Sequence, residues 1–219
     1  MSSFPGSPRL LKGGIVLIDP DTSAVQRIIA LQYNPDTLTR TLQAQSVTED
    51  SGGKAEPMRL KGPPIETIKL DAEIDATDQL EFPDQNPNAV QVGIQPQLAA
   101  LETIIYPTSS QLQANDKLAN SGTLEIVPME APLMLFIWSK NRIVPVRLTD
   151  FSITEEAFDP ALNPIRAKVS LGMRVLSVTD LGFSQNGGSI YMAYQQQKER
   201  LAAMVPGGGL AAFGIKGIP

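Results

Sequence analysis

Residues 131–154, APLMLFIWSKNRIVPVRLTDFSIT, contain two apolar runs that are separated by a short polar turn. The first run, Leu133–Trp138, ends in the only tryptophan of the chain, and the turn SKN follows it. Two apolar runs on either side of a tight polar turn are typical of a β-hairpin that lies in a core. We therefore predict a structural hairpin, and the alternative at this point is a cofactor pocket that includes Trp138.

The second strand of this hairpin is predicted to bend. Its apolar residues occupy one face and then the other: Val144, Val146 and Leu148 come first, and Phe151 and Ile153 follow with the opposite parity. One residue must be skipped near Asp150, which indicates a β-bulge or a sharp bend. Pro145 restricts the strand to an edge of the sheet, or to a point that lacks a ladder hydrogen bond.

The next strand, Ala167–Val178, shows the same behaviour. Its alternation changes face at Leu176, after the turn-forming stretch AFDPALNP that connects it to the preceding strand. Two long strands that both change face suit a strongly curved sheet, such as the wall of a barrel.

The regular alternation of a half-buried strand is clearest in ETIKLDAEIDA, residues 66–76. Apolar and charged side chains point to opposite faces there: Ile68, Leu70, Ala72 and Ile74 on one, Lys69, Asp71, Glu73 and Asp75 on the other. Shorter strands are predicted at Gly14–Ile18, Val25–Tyr33, Thr37–Gln45 and Thr123–Val127.

Two helices complete the prediction. Pro96 opens the first, whose apolar face is Leu98, Leu101 and Ile105 and which ends before Tyr106-Pro107. The second, Ile190–Met204, follows the linker SQNGG. Residues 46–64 are predicted to form a long loop or an ordered arm, and residues 77–94 and 108–122 are predicted to be loops. We expect a mainly β (α+β) fold of curved β-sheets or a β-barrel with one packed helix, and then a short C-terminal helix plus tail. The expected division is a tube-like β domain at residues 1–185 and a C-terminal helix with a glycine-rich tail at residues 186–219.

The composition excludes several classes of function. The 219 residues include no His and no Cys, so thiolate metal sites and most nucleophile–base pairs are excluded. The formal charge of -5 argues against a nucleic-acid partner. The longest run of large apolar residues, Leu133–Trp138, is far below the roughly 18 residues that a membrane-spanning helix needs. We expect no enzyme activity, no cofactor, no metal and no membrane partner.

Three features of the sequence are alternatives for a functional site. The carboxylates of Asp71, Glu73 and Asp75 share a strand face, which suits an acid/base pair or a divalent ion, although a solvated strand face has the same pattern. The stretch Gly209–Gly217, GLAAFGIKG, approaches a phosphate loop, but its Lys is displaced by one position and no Ser or Thr follows. Trp138 could contact a partner protein, since Trp is enriched at interfaces, or it could anchor the core.

The C-terminal tail carries three large apolar residues among glycines: Leu210, Phe213 and Ile215. The spacing fits a disordered end and equally an arm that becomes ordered on a partner. We predict these three residues as candidate partner contacts, and both interpretations stay open.

The order of these motifs resembles a known family. LQYNP (residues 31–35) comes first, GPPIETIKLDAEIDATD (residues 62–78) follows, and then comes the long stretch from Ala131 to Val175. This order is similar to that of the tube-like baseplate protein of contractile injection systems, and it covers about residues 11–181. The matching positions are Tyr33-Asn34-Pro35, then Pro132, Phe136 and Trp138, and finally Asn163-Pro164, Arg166, Ala167 and Val169.

Two departures from the family pattern limit what carries over. Ser139 stands where Gly is usual after the Trp, which is a mild change. Many members also continue into a peptidoglycan-binding LysM domain, which this sequence lacks, so the resemblance implies no glycan binding.

The resemblance implies a β-barrel-like domain that forms a ring, six-fold in the family, between spike and inner tube and that initiates the tube. Expected partners are further copies of the chain, the spike or hub protein, the inner tube protein and other baseplate subunits. The expected location is the bacterial cytoplasm within an assembled injection particle, or a released or phage-borne particle. The alternatives are an inner tube subunit, a tube-end cap, a carboxylate-based hydrolase and a lectin-like module.

Overall fold

The computed structural model describes residues 10–46, 60–121 and 131–218. Seven strands are found there: β1 Gly14–Ile18, β2 Val25–Ala30, β3 Leu38–Gln43, β4 Ile65–Asp75, β5 Leu133–Ile137, β6 Ile143–Phe158 and β7 Pro164–Val175. They form one antiparallel sheet in the order β2-β1-β5-β6-β7-β4-β3. The expected strand Thr123–Val127 lies outside the described residues, as does most of the expected loop at residues 46–64.

The predicted hairpin is confirmed as β5 and β6. Met134 pairs with Val146 and Ile137 with Ile143, and the Trp138 amide donates a 2.8 Å hydrogen bond to the Arg142 carbonyl across the turn. The predicted bulge is also confirmed, since the register with β7 shifts between Leu148 and Asp150.

Pro145 lies in the interior of the sheet, so the first of its two predicted placements is wrong and the second is confirmed. The Leu176 amide donates to the Pro145 carbonyl at 2.9 Å. Because the N–H and C=O of a strand residue point to the same side, the donor that Pro145 lacks would also face β7. That neighbouring strand ends one residue earlier, at Val175.

The second predicted bend is wrong, because β7 ends at Val175 and does not continue to Val178. Ser177 instead caps a short helix, Val178–Leu181, and its hydroxyl and amide are paired with Thr179 and Asp180 in a capping box. The parity change at Leu176 therefore marks the end of a strand, which a hydrophobic pattern alone does not distinguish from a bend.

The α-helices are α1 Thr77–Leu80, α2 Pro87–Val92, α3 Gln95–Glu102, α4 Ser109–Asn120, α5 Val178–Leu181 and α6 Asn186–Ala202, with 3-10 turns at Pro83–Gln85 and Leu210–Phe213. The predicted loops at residues 77–94 and 108–122 are thus largely helical. Helix α4 has no buried residue and begins at a capping box made by Thr108 and Gln111. A helix that buries no apolar face leaves no periodicity in the sequence.

Helix α3 buries Leu98 and Leu101 as predicted, but it ends before Ile105, which is exposed.

The predicted linker SQNGG is also wrong, because Gly187 and Gly188 are buried in the first turn of α6. A Cβ at Gly188 would lie 1.9 Å from the Gly182 carbonyl oxygen, so only glycine allows this close approach of helix and backbone. Tyr191 and Tyr194 of α6 join the core that the strands form. The division of the chain at residue 185 stays a prediction.

One face of the sheet forms most of the core, and it is largely aliphatic. The members that β4 and β7 contribute are Ile68, Leu70, Ala72, Ile74, Ala167, Val169, Leu171, Met173 and Val175. The alternation in β4 is therefore confirmed, and so is the mainly β (α+β) class. The structure has several helices where one packed helix was expected. Strands β2 and β3 end the sheet and do not pair with each other among the described residues.

Candidate assembly surfaces

The two ends of the sheet are the first candidate surface. Among the described residues, β2 pairs with β1 alone and β3 with β4 alone, so each has one row of backbone N–H and C=O groups that no strand of the chain completes. Apolar side chains accompany them, since Ile28 is 68% and Leu42 is 53% exposed. Such an edge is a template for another strand unless the fold covers it.

The direction of the open groups in β2 follows from one hydrogen bond. The Leu31 amide donates to the Gly13 carbonyl at 2.9 Å, so Leu31 faces β1. Because backbone groups alternate in direction along a strand, Ile29 and Arg27 also face β1. Ile28 and Ala30 therefore direct their N–H and C=O groups away from the sheet.

A buried ion-pair cluster holds the β3 edge against the rest of the molecule. Glu66 is only 3% exposed and accepts hydrogen bonds from Arg40 Nε at 2.8 Å and from the Tyr194 hydroxyl at 3.0 Å. Arg40 Nη2 lies 2.6 Å from the same oxygen. A buried carboxylate is costly unless it is paired and hydrogen-bonded. The cluster therefore ties β3, β4 and α6 together.

Lys198 completes this cluster, which we call the Glu66 cluster (Arg40, Glu66, Tyr194 and Lys198). Its Nζ lies 3.7 Å from Glu66 Oε2 and 4.2 Å from the centre of the Tyr194 ring. Burial lowers the pKa of Lys198 from its ordinary value, although the Glu66 charge opposes that change. Burial and the Glu66 charge raise the pKa of Tyr194 to about 12, so this hydroxyl keeps its proton at neutral pH.

The sequence interpretation missed the Glu66 cluster. Glu66 has the same parity in β4 as Ile68 and Leu70, so its position in the alternation already placed it on the core face. A charged residue at a core-facing position of a regular strand indicates a buried partner. Its partners lie on β3 and α6, and no local pattern identifies them.

The carboxylates of β4 do not form a site. The Asp75 carboxylate accepts a 2.7 Å hydrogen bond from Arg166 Nε, whereas Asp71 and Glu73 lie on the exposed face. Burial opposes the change, but hydrogen bonds from Thr77 and Arg166 outweigh it and lower the pKa of Asp75. A lowered pKa suits a structural ion pair rather than a general acid. In the described part of the chain, no group of three or more Asp and Glu residues could hold a metal ion.

Trp138 anchors the hairpin to the core. Its ring stacks on Phe136 with centroids 5.9 Å apart, and it covers Gly13 so closely that a Cβ there would lie 2.4 Å from the ring. The structural interpretation of residues 131–154 is therefore supported. Trp138 also lines a cavity beside the Glu66 cluster.

The tail residues lie on the surface. Leu210 and Phe213 bound a 3-10 turn and Ile215 follows it, and the three side chains are 39%, 77% and 44% exposed. Within the residues that the structure describes, no strand leads into the stretch Gly209–Gly217 and no helix follows it, although a phosphate loop lies between these two elements. No described helix is long and apolar enough to cross a membrane.

Comparison with known proteins identifies the class of this fold. The sequence profile of the contractile injection system tube proteins matches residues 15–177, which is well over half of the chain. The chain therefore belongs to the contractile injection system tube protein family. It is a structural component of a phage-tail-like particle, and a protein of this kind works within a multi-subunit assembly.

Similarities of the chain to individual known proteins are weaker. No curated protein matches it. Among solved structures, it is similar to a chain in the tail of an empty gene transfer agent particle, solved with C6 symmetry, at 14% identity. That match covers 75% of this chain and 90% of the other, with a TM-score of 0.28. A chain in the virion of a native gene transfer agent particle is also 14% identical, with coverages of 74% and 90% and a TM-score of 0.25.

Proposed function

We propose that this protein forms the ring that joins the spike to the inner tube of a contractile injection system and on which the tube begins to assemble. Family membership over residues 15–177 supports a place in the tube-like part of the particle. The observation that most directly supports a ring is the pair of open strand edges, β2 and β3, at opposite ends of one sheet.

Ring closure follows from the position of these edges. Both β2 and β3 are six residues long, so the β2 edge of one copy can pair along the whole β3 edge of the next. Two different surfaces that meet in this way form a heterologous contact, which closes into a ring when the rotation between copies is a whole fraction of a turn. Six copies is the number that the family resemblance implies.

The other partners occupy the two faces of the ring. The spike or hub protein and the inner tube protein each contact one face, and further baseplate subunits surround them. Leu210, Phe213 and Ile215 are proposed to pack on one of these partners, since their exposed apolar surface is otherwise in contact with water. Assembly is proposed to occur in the bacterial cytoplasm, with a released or phage-borne particle as the alternative product.

An inner tube subunit is the second candidate, because the matching family is described as a tube protein. A ring-forming baseplate subunit occurs in one ring per particle, whereas a tube subunit occurs in many stacked rings. Counting copies of the chain in purified particles by quantitative mass spectrometry, against a sheath or spike protein, distinguishes them. One ring of copies supports the baseplate role, and many rings favour the tube.

The edge contact is tested by a matched pair of proline variants. Ile28→Pro removes an N–H that points away from the sheet, whereas Ile29→Pro removes one that donates to β1. Ile28→Pro is expected to leave the thermal unfolding temperature within a few degrees of wild type and to abolish ring formation in native mass spectrometry. Ile29→Pro is expected to destabilise the monomer itself. Normal rings formed by Ile28→Pro would disprove the β2 contact.

The tail contact is tested by deletion of residues 206–219. The expected result is an unchanged unfolding transition together with a lower yield of assembled particles, because no described residue of the tail belongs to the core. The point variants Leu210→Ser and Phe213→Ser keep the full chain length, so they test whether the apolar side chains themselves are responsible for the effect. An unchanged assembly yield would refute the arm.

A further inference from the structure

A cationic cavity lies between the β5–β6 turn, β3 and α6. Its volume is about 360 Å³, and its lining residues are Arg40, Trp138, Ser139, Asn141, Arg142, Tyr194, Lys198 and Leu201. The sequence positions of these residues span from 40 to 201, so only the folded chain brings them together. We call this space the Arg142 pocket.

The charges around the Arg142 pocket do not balance. Arg40, Arg142 and Lys198 contribute three positive charges, and Glu66 is the one carboxylate that contacts this group in the part of the chain that the structure describes. Glu66 pairs with Arg40 and Lys198, whereas Arg142 makes no ion pair with any residue in the described ranges. The Arg142 charge is close enough to Tyr194 to act on its pKa. Two positive charges therefore remain uncompensated in a protein whose formal charge is -5.

The donors of the pocket suit a carboxylate. Arg142 is half-buried on the turn that follows Trp138, and its guanidinium is a planar fork that matches the two oxygens of a carboxylate. Trp138 and Leu201 form apolar walls at the same cavity, and such walls pack against the methylene groups of an acidic side chain. The burial that lowers the pKa of Lys198 would be offset by a second carboxylate at this position.

We propose that the Arg142 pocket binds a side-chain carboxylate, Asp or Glu, of an adjacent copy of this chain. The inference rests on the proposed ring and identifies an ionic contact within it. Arg40 belongs to β3, so the pocket lies beside the edge to which the next copy is proposed to add a strand. The chain supplies exposed carboxylates for such a contact, and Asp21 in the β1–β2 turn is one that makes no ion pair in the described part of the chain.

The assembly test compares two arginines of the same strand region. Arg142→Glu reverses the charge in the pocket, and Arg147→Glu reverses an exposed charge on β6 outside it. Both variants are expected to unfold at the wild-type temperature. Arg142→Glu is expected to need a roughly tenfold or more higher protein concentration for half-assembly, since like charges at a contact oppose association strongly. Arg142→Lys, which keeps the charge, is expected to lie between wild type and Arg142→Glu.

The binding test uses the fluorescence of Trp138, the only tryptophan. Dilute monomeric protein is titrated with poly-L-glutamate, and sodium chloride at equal ionic strength is the control. Wild type and Arg147→Glu are expected to show a saturable change, and Arg142→Glu none.

These two tests separate the pocket from the ring. In one outcome the wild-type chain never assembles but still responds to poly-L-glutamate through Arg142. That result refutes the proposed ring and the second copy as the partner, and it supports a pocket that binds carboxylates. In another outcome, rings form equally well with Arg142→Glu and with Arg147→Glu, and the fluorescence change with poly-L-glutamate equals that with sodium chloride. That result overturns the proposed pocket and leaves the proposed ring in place.

Discussion

Strands β4 and β2 belong to the same sheet but differ in how they are completed. β4 has a strand on each side, and its alternate side chains are buried from Glu66 to Ile74. β2 has a neighbour on one side, and all but one of its residues are exposed, although Val25 and Ile28 are large and apolar. The difference teaches that burial within its own chain explains the pattern of β4, whereas the exposed apolar residues of β2 have no such explanation among the described residues and are proposed to contact a second copy.

The largest expected effect tests the completed side of this comparison. Phe136→Ala removes a side chain that is 1% exposed from the core. We expect a loss of about 3–5 kcal/mol in the free energy of unfolding, as for other large-to-small core substitutions. Urea unfolding of the monomer measures it, and Ile28→Ala on β2 should change the same free energy by less than about 0.5 kcal/mol. If both variants changed the free energy of unfolding equally, the difference between the buried core and the exposed β2 strand would be disproved.

The Glu66 cluster is expected to give the second largest effect. Glu66→Ala leaves Arg40 and Lys198 half-buried without their carboxylate, and loss of one partner from a buried pair costs about 3 kcal/mol or more. Thermal or urea unfolding checks this loss. Asp71→Asn, an exposed carboxylate on the same strand, is the control and should be near neutral. A small effect at Glu66 would mean that the cluster contributes little to stability.

Gly188→Ala is expected to have an intermediate effect. The new Cβ would overlap the Gly182 carbonyl oxygen, so α6 must move away from that backbone segment. We expect about 1–3 kcal/mol of destabilisation, as for overpacked sites. Gly207→Ala is the matched control because a Cβ there meets open space. Similar unfolding temperatures for the two variants would show that α6 is not held closely.

The smallest expected effect is a change with pH. The pKa of Tyr194 is about 12 in the folded protein and 10.0 ordinarily, so the folded protein keeps a proton that the unfolded chain loses in this range. The stability that Tyr194 contributes is therefore present below about pH 10 and is lost as the pH rises towards 12. Tyr194→Phe should lower stability at pH 8 by about 1 kcal/mol, because its hydrogen bond to Glu66 is lost. It should also flatten the decline in stability between about pH 10 and pH 12.

Urea unfolding at several pH values measures this change. Tyr191→Phe is the control for the loss at pH 8, because Tyr191 makes no hydrogen bond to Glu66 among the described contacts, although burial raises its pKa as well. The assignment fails if Tyr194→Phe keeps the full wild-type decline.

Local patterns predicted the elements whose apolar residues face one core. The alternation of β4 and the hairpin β5–β6 were identified because burial on one side imposes a period of two. Helix α4 was missed because it buries nothing, and α6 was predicted to begin too late because Gly187 and Gly188 were interpreted as a linker. Gly188 allows a close approach to Gly182, and Gly187 allows one to the side chains of Leu181 and Leu133. Both contacts depend on two segments of the chain rather than one.

The candidate surfaces differ in the same way, since some can be read from a local stretch of sequence and others depend on distant segments. Leu210, Phe213 and Ile215 were identified from their own sequence, and their role as partner contacts stays a prediction. The Glu66 cluster and the Arg142 pocket could not be predicted, because their members come from β3, β4, the β5–β6 turn and α6.

The amino-acid sequence by itself determined the mainly β class, the long paired strands, the bulge near Asp150 and the resemblance to tube-like proteins. These properties depend on side-chain spacing within single strands, which the chain carries locally. Only the tertiary structure decided the strand order, the open β2 and β3 edges and the partners of Glu66. These features depend on which distant segments pack together. The free energy of that packing is distributed over the whole core and is not determined by any one stretch of sequence.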